Sequence, residues 1–105
     1  MVFTIKDKKY TNCIGIATNL EGISKILIDY IIDEILEVEV NYGYDFNIDD
    51  VSSIVNESVN ESLKNFNLDH EYDSFRIKID VDNKCFFDYF LFKIEIMKYQ
   101  LNVYQ

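Results

Sequence analysis

Leu36-Glu-Val-Glu-Val-Asn-Tyr-Gly-Tyr-Asp-Phe-Asn-Ile48 is the stretch on which the fold turns. Leu36, Val38, Val40, Tyr42, Tyr44, Phe46 and Ile48 alternate with Glu37, Glu39, Asn41, Gly43, Asp45 and Asn47. A period of two predicts a strand. The competing reading carries the preceding helix on to Val40 and ends it near Gly43. With the strand, the element order is roughly ββαβαββ: an α+β chain with an antiparallel sheet of four to five strands and two helices in the middle.

Upstream, Thr18-Asn-Leu-Glu21 matches a capping box, in which Thr18 caps and Glu21 reaches back. A helix follows to about Leu36. Its polar positions Lys25, Asp29, Asp33 and Glu37 recur every four residues as one narrow stripe, and nearly all the rest is Ile, Leu or Tyr. A helix so apolar is buried on more than one side. Before it, Val2 to Ile5 and Tyr10 to Ala17 read as a hairpin joined by Lys6-Asp7-Lys8-Lys9. Downstream, Ile48, Val51, Val55, Val59, Leu63 and Phe66 form the inner stripe of a second helix.

Phe75, Ile77, Ile79 and Val81 alternate with Arg76, Lys78, Asp80 and Asp82, a half-buried strand. If an odd-length loop around Asn83 follows, Cys85, Phe87, Tyr89 and Leu91 continue its apolar face, and Lys78 stands opposite Asp88. Phe86, Phe90, Phe92, Ile94 and Ile96 then form a second apolar face that needs its own cover. That surface, with Tyr99 and Leu101 beyond it, predicts self-association as a homodimer.

At 105 residues the chain has the length of one domain, residues 1–105, and can bury a core without disulfides or metal. It is 49% hydrophobic and 15% aromatic, which argues against disorder. No proline and only Gly15, Gly22 and Gly43 interrupt it, and no linker divides it. The N-terminal residues carry no signal-peptide pattern. The longest uncharged run falls far short of the ~18–20 residues of a membrane helix. Cys13 and Cys85 have neither metal nor redox spacing and read as free thiols, so a cytoplasmic location is expected.

The net charge of −9 is unevenly spread. From Asp29 to Asp73 there are thirteen carboxylates and one lysine, Lys64, whereas the two flanks are slightly basic. Asp29, Asp33 and Glu37, and again Glu57 and Glu61, stand four residues apart. Such like-charge pairs each cost a few tenths of a kcal/mol in a helix.

Residues for catalysis are scarce. His70 is the one histidine. There is no glycine-rich phosphate loop, zinc-protease motif or nucleophile elbow. Asp45-x-Asn47-x-Asp49 resembles the opening of a calcium loop, but Asp50 and Asn56 stand where a glycine and a bidentate glutamate belong. Asn47 and Asp49 suit a helix N-cap instead. No enzyme activity, cofactor or metal is expected.

An unrelieved acidic surface suits a partner built to grip phosphates. The expected function is a binding one: an inhibitor or decoy occupying the basic surface of a nucleic-acid-handling protein, without itself binding nucleic acid or membrane. Asp29, Asp33, Glu37, Glu39, Tyr42, Tyr44, Asp45, Glu57 and Glu61 are the candidate contacts, with Tyr72 a further exposed tyrosine. The profile is similar to that of small acidic phage counter-defence proteins, including anti-CRISPR proteins, and of immunity proteins that neutralise nuclease toxins. A homodimeric assembly module is the alternative.

Overall fold

The computed structural model describes residues 1–43, 47–81 and 86–97; for Val40, Tyr42, Val81 and residues 86–89 it describes the backbone alone. The elements are β1 (Phe3–Asp7), β2 (Cys13–Ala17), α1 (Leu20–Tyr42), α2 (Ile48–Leu63), β3 (Tyr72–Val81) and β4 (Phe86–Ile96). The four strands form one antiparallel sheet in the order β2-β1-β4-β3. Both helices lie on one face of that sheet, α1 against β2 and α2 against β3. The α+β class, the antiparallel sheet and the two central helices are as the sequence predicts; the order is ββααββ.

Among the described residues, the strand expected over residues 36–48 is not formed: residues 36–42 are the last two turns of α1 and Ile48 opens α2, while residues 44–46 lie outside the described residues. Two signals outweigh the alternation. Leu27, Ile31 and Ile35 are fully buried at helical spacing and Val38 packs on the same core, so the helical phase runs straight through. Gly43 then takes φ 71° and ψ 23°, and its N–H donates to the Glu39 carbonyl at 2.9 Å, a left-handed helix stop. Against this, Val38 and Val40 cost the helix only about 1 kcal/mol together relative to alanine. The cap at the other end is Asn19 rather than Thr18; its side chain accepts from the Gly22 amide at 2.8 Å.

The exposed stripe of α1 is as expected. Lys25, Asp29, Asp33 and Glu37 face solvent, while Ile23, Leu27, Ile31 and Ile35 face the sheet and Ile26, Ile28, Tyr30 and Ile32 are half-buried between. On α2, Val51, Val55, Val59 and Leu63 are buried; Ile48 is exposed and Phe66 lies past the helix. Asn47 caps α2 by accepting from the Asp49 and Asp50 amides, which is how the calcium-like segment uses that side chain.

The second correction concerns β4. Its register on β3 pairs Val81 with Phe86 and Lys78 with Tyr89, one residue away from the expected Lys78–Asp88 pairing. A slip of one exchanges the two faces of a strand. Phe92 and Ile94 therefore point into the core beside Phe75, Ile77 and Ile79, at 1% and 0% exposure. Phe90 and Ile96 pack against the same core, and Leu91 lies outside at 42%. Of the residues assigned to self-association, Phe90, Phe92, Ile94 and Ile96 thus lie on the face that the two helices already cover. Burying each such side chain is worth roughly 1.5–3 kcal/mol. Phe86 is described in backbone only, and Tyr99, Leu101 and Cys85 lie outside the described residues.

The N-terminal hairpin exists with shifted bounds. Asp7 belongs to β1 rather than to a turn, in phase with buried Phe3 and Ile5. Gly15 of β2 lies so close to α1 that a Cβ there would stand 2.7 Å from Ile26 Cδ1.

Candidate interaction surface

With both helices on one side of the sheet, the fold sorts the charges. Asp29, Asp33 and Glu37 of α1 and Asp49, Asp50, Glu57 and Glu61 of α2 are exposed on the helical layer. Residues spaced by four lie about 6 Å apart along a helix axis, so each helix carries a line of carboxylates. Alternation along the strands sends Lys6, Arg76, Lys78 and Lys93 to the uncovered face of the sheet, opposite to buried Ile5, Ile77 and Ile94.

The two faces treat their charges differently. On the sheet, Lys6 meets Glu95 at 3.1 Å, Lys8 meets Asp73 at 3.2 Å, and Lys93 reaches Asp73 at 4.0 Å and Glu95 at 3.8 Å. The Lys6 ammonium accordingly holds the Glu95 carboxyl below its ordinary range, with Lys93 adding to it. On the helices, none of Asp29, Asp33, Glu37 and Glu57 forms an ion pair among the described residues; Glu61 has Lys64 at 3.4 Å. Neither helix has a basic residue in its last turn, where the dipole would favour one.

The remaining predicted contacts are less uniform. Glu39 is half-buried, and its Oε2 has no hydrogen-bond partner among the described residues. Tyr42 lies at the end of α1 with its side chain outside the described residues, as do Tyr44 and Asp45 altogether. Tyr72 is no free aromatic: it stacks on Phe66 with centroids 4.6 Å apart, and its hydroxyl accepts from the Asn67 amide at 2.7 Å.

Sequence reasoning missed a cluster at the C-terminal half of α1. Asp7 is buried at 7% exposure. Its Oδ1 accepts from the Lys9 amide at 2.7 Å and its Oδ2 from the Tyr30 hydroxyl. Burial first, then the bond to Asp7, hold the Tyr30 hydroxyl protonated far above its usual range. Glu34, one turn further along α1, has its carboxyl raised by partial burial and by the charges of Glu37 and Asp7; Tyr30 and Lys9 act in the opposite direction. Above the cluster opens a cleft of about 230 Å³ between the β1–β2 turn and α1, lined by Tyr10, Glu34, Glu37 and Phe90 among others. A neighbouring pocket of about 80 Å³ shares Lys9, Tyr10, Glu34 and Phe90 with it and reaches Asp7 and Phe92. The signal for the cluster was present in the sequence: Phe3, Ile5 and Asp7 share one strand phase.

No family model, curated protein or solved structure matches this chain.

Proposed function

We propose that this chain acts by binding, as an inhibitor or decoy that lays its acidic helical face on the basic surface of a nucleic-acid-handling protein. The segregation of charge carries the reading. Carboxylates line the outer side of both helices, and all but Glu61 lack an ion pair among the described residues, while the basic residues of the strands lie on the far side of the sheet. Asp29, Asp33 and Glu37 repel one another along α1, and Glu37 also opposes the dipole at its C-terminal end. Their local contribution to stability is unfavourable, which a partner's lysines and arginines would reverse. Roles of this kind include phage counter-defence and neutralisation of a nuclease toxin, both in the cytoplasm where the target works.

The test is capture on the immobilised protein. Basic nucleic-acid-binding proteins should be retained at low salt, released as salt rises because exposed charges are screened beyond roughly 10 Å at 0.1 M, and displaced by duplex DNA competing for the same surface. Reversing Asp29, Asp33 and Glu37 together to lysine should abolish capture while leaving the thermal melt cooperative. Capture indifferent to salt and to that triple change refutes the proposal.

A further inference from the structure

We propose that the cleft between the β1–β2 turn and the C-terminal half of α1 receives an arginine side chain of the partner, Tyr10 stacking on the guanidinium while Glu34 and Glu37 accept its N–H groups. This rests on the acidic-face reading and names its anchor point. The lining matches that one chemistry. Tyr10, 50% exposed, and half-buried Phe90 both line the cleft. Glu34 and Glu37 supply carboxylates to the lining, and Asp7 lines the neighbouring pocket with its oxygens already occupied by Tyr30 and the Lys9 amide.

The chain itself displays the preference. Lys9 Nζ lies over the Tyr10 ring, 5.3 Å from its centroid, and its charge acts on Glu34 in the same cleft. Among the described residues, three carboxylates, Asp7, Glu34 and Glu37, and one ammonium, Lys9, line the cleft and its neighbouring pocket. The Glu34 carboxyl stays raised by burial, Glu37 and Asp7 despite Lys9. A planar cation that stacks on an aromatic face and meets carboxylates with two N–H groups answers both features, where a lysine ammonium answers only the charge. Aromatic and arginine anchors in partly closed pockets are also where binding energy concentrates at protein interfaces.

The ¹⁵N-labelled chain is titrated at low salt with hexa-arginine and, separately, hexa-lysine. Hexa-arginine is expected to bind several-fold tighter and to shift the amide resonances of Tyr10, Glu34 and Phe90. Tyr10→Ala and Glu34→Gln should each weaken hexa-arginine roughly three- to tenfold, the size of one partly exposed cation–aromatic contact, and Tyr10→Phe should restore it. Lys9→Ala should strengthen binding more than Lys64→Ala, an equal change of charge outside the cleft. Reversal of Asp29 and Asp33 should weaken both peptides alike. Equal affinities for the two peptides, with shifts confined to the Asp29–Asp33 stripe, overturn the cleft and leave the acidic face standing. Failure of either peptide to bind overturns both. Well-dispersed spectra of each free variant separate lost binding from lost fold.

Discussion

The Tyr30 hydroxyl donates to the buried Asp7 carboxylate, joining the middle of α1 to the end of β1. Tyr30 also meets Phe92 edge-on, with centroids 5.9 Å apart. One side chain thereby links helix, strand and the phenylalanine of the neighbouring strand.

Removing that hydroxyl leaves a buried carboxylate short of a donor, which costs about 1–3 kcal/mol. Tyr30→Phe should lower Tm by roughly 5–15 °C in a domain near this size. In an Asp7→Asn background the same change should cost clearly less, as coupled neighbours do. Equal losses in both backgrounds would show that the bond contributes nothing.

Glu34 gives a pH signature. Its raised carboxyl binds a proton more tightly in the folded chain than in the unfolded one. The resulting stabilisation is present below the ordinary carboxylate pKa of about 4.3 and is lost as pH climbs through Glu34's higher folded value. Glu34→Gln should therefore melt above the parent at pH 7, and the gap should close as pH falls below about 4. A gap that widens in acid contradicts the assignment. The same change is expected to weaken hexa-arginine binding, a trade of stability against function.

Gly43 tests the end of α1. A Cβ there would meet nothing within 4 Å among the described residues, so the expected penalty is conformational. Gly43→Ala should cost about 1–2 kcal/mol in urea denaturation because of the positive φ, and Gly43→Asn less. No loss with alanine would argue that the helix does not stop there.

The β4 register predicts opposite fates for adjacent residues. Phe92→Ala should cost about 3–5 kcal/mol, and the gentler Ile94→Val about 0.5–1.5. Leu91→Ala, on the open face, should stay within about 0.5 kcal/mol. The reverse ranking would restore the alternative register and with it the uncovered apolar surface.

Both helices were legible because their patterns are unambiguous: one acidic stripe on α1, and valines at 51, 55 and 59 with Leu63 on α2. Residues 36–42 were not, because Leu36, Val38, Val40 and Tyr42 satisfy a strand period locally, whereas the deciding phase comes from Ile31 and Ile35 upstream. The β4 parity was obscured because Phe86 to Phe92 is apolar at nearly every position. Lys93 and Glu95, alternating with Ile94 and Ile96, carry the correct phase a few residues later. The acidic stripe could be read from spacing, but the Asp7–Tyr30–Glu34 cluster joins a strand to a helix far along the chain, and only packing brings them together.

The order β2-β1-β4-β3 has a consequence for how the molecule comes into being. β4 is the last in sequence of the described strands, yet it occupies an interior slot, where the Thr4 hydroxyl reaches the Glu95 carbonyl across 91 positions. During synthesis the first hairpin and both helices emerge well before the strand that joins β1 to β3. Until then β1 offers a bare edge to any other nascent chain, the arrangement that invites mispairing. Closing so distant a pairing is slow, since its entropy is lost before its bonds are gained. The same topology makes β4 a detachable wedge: supplied as a separate peptide to a chain cut in the β3–β4 connection, it would switch the sheet from two halves to one.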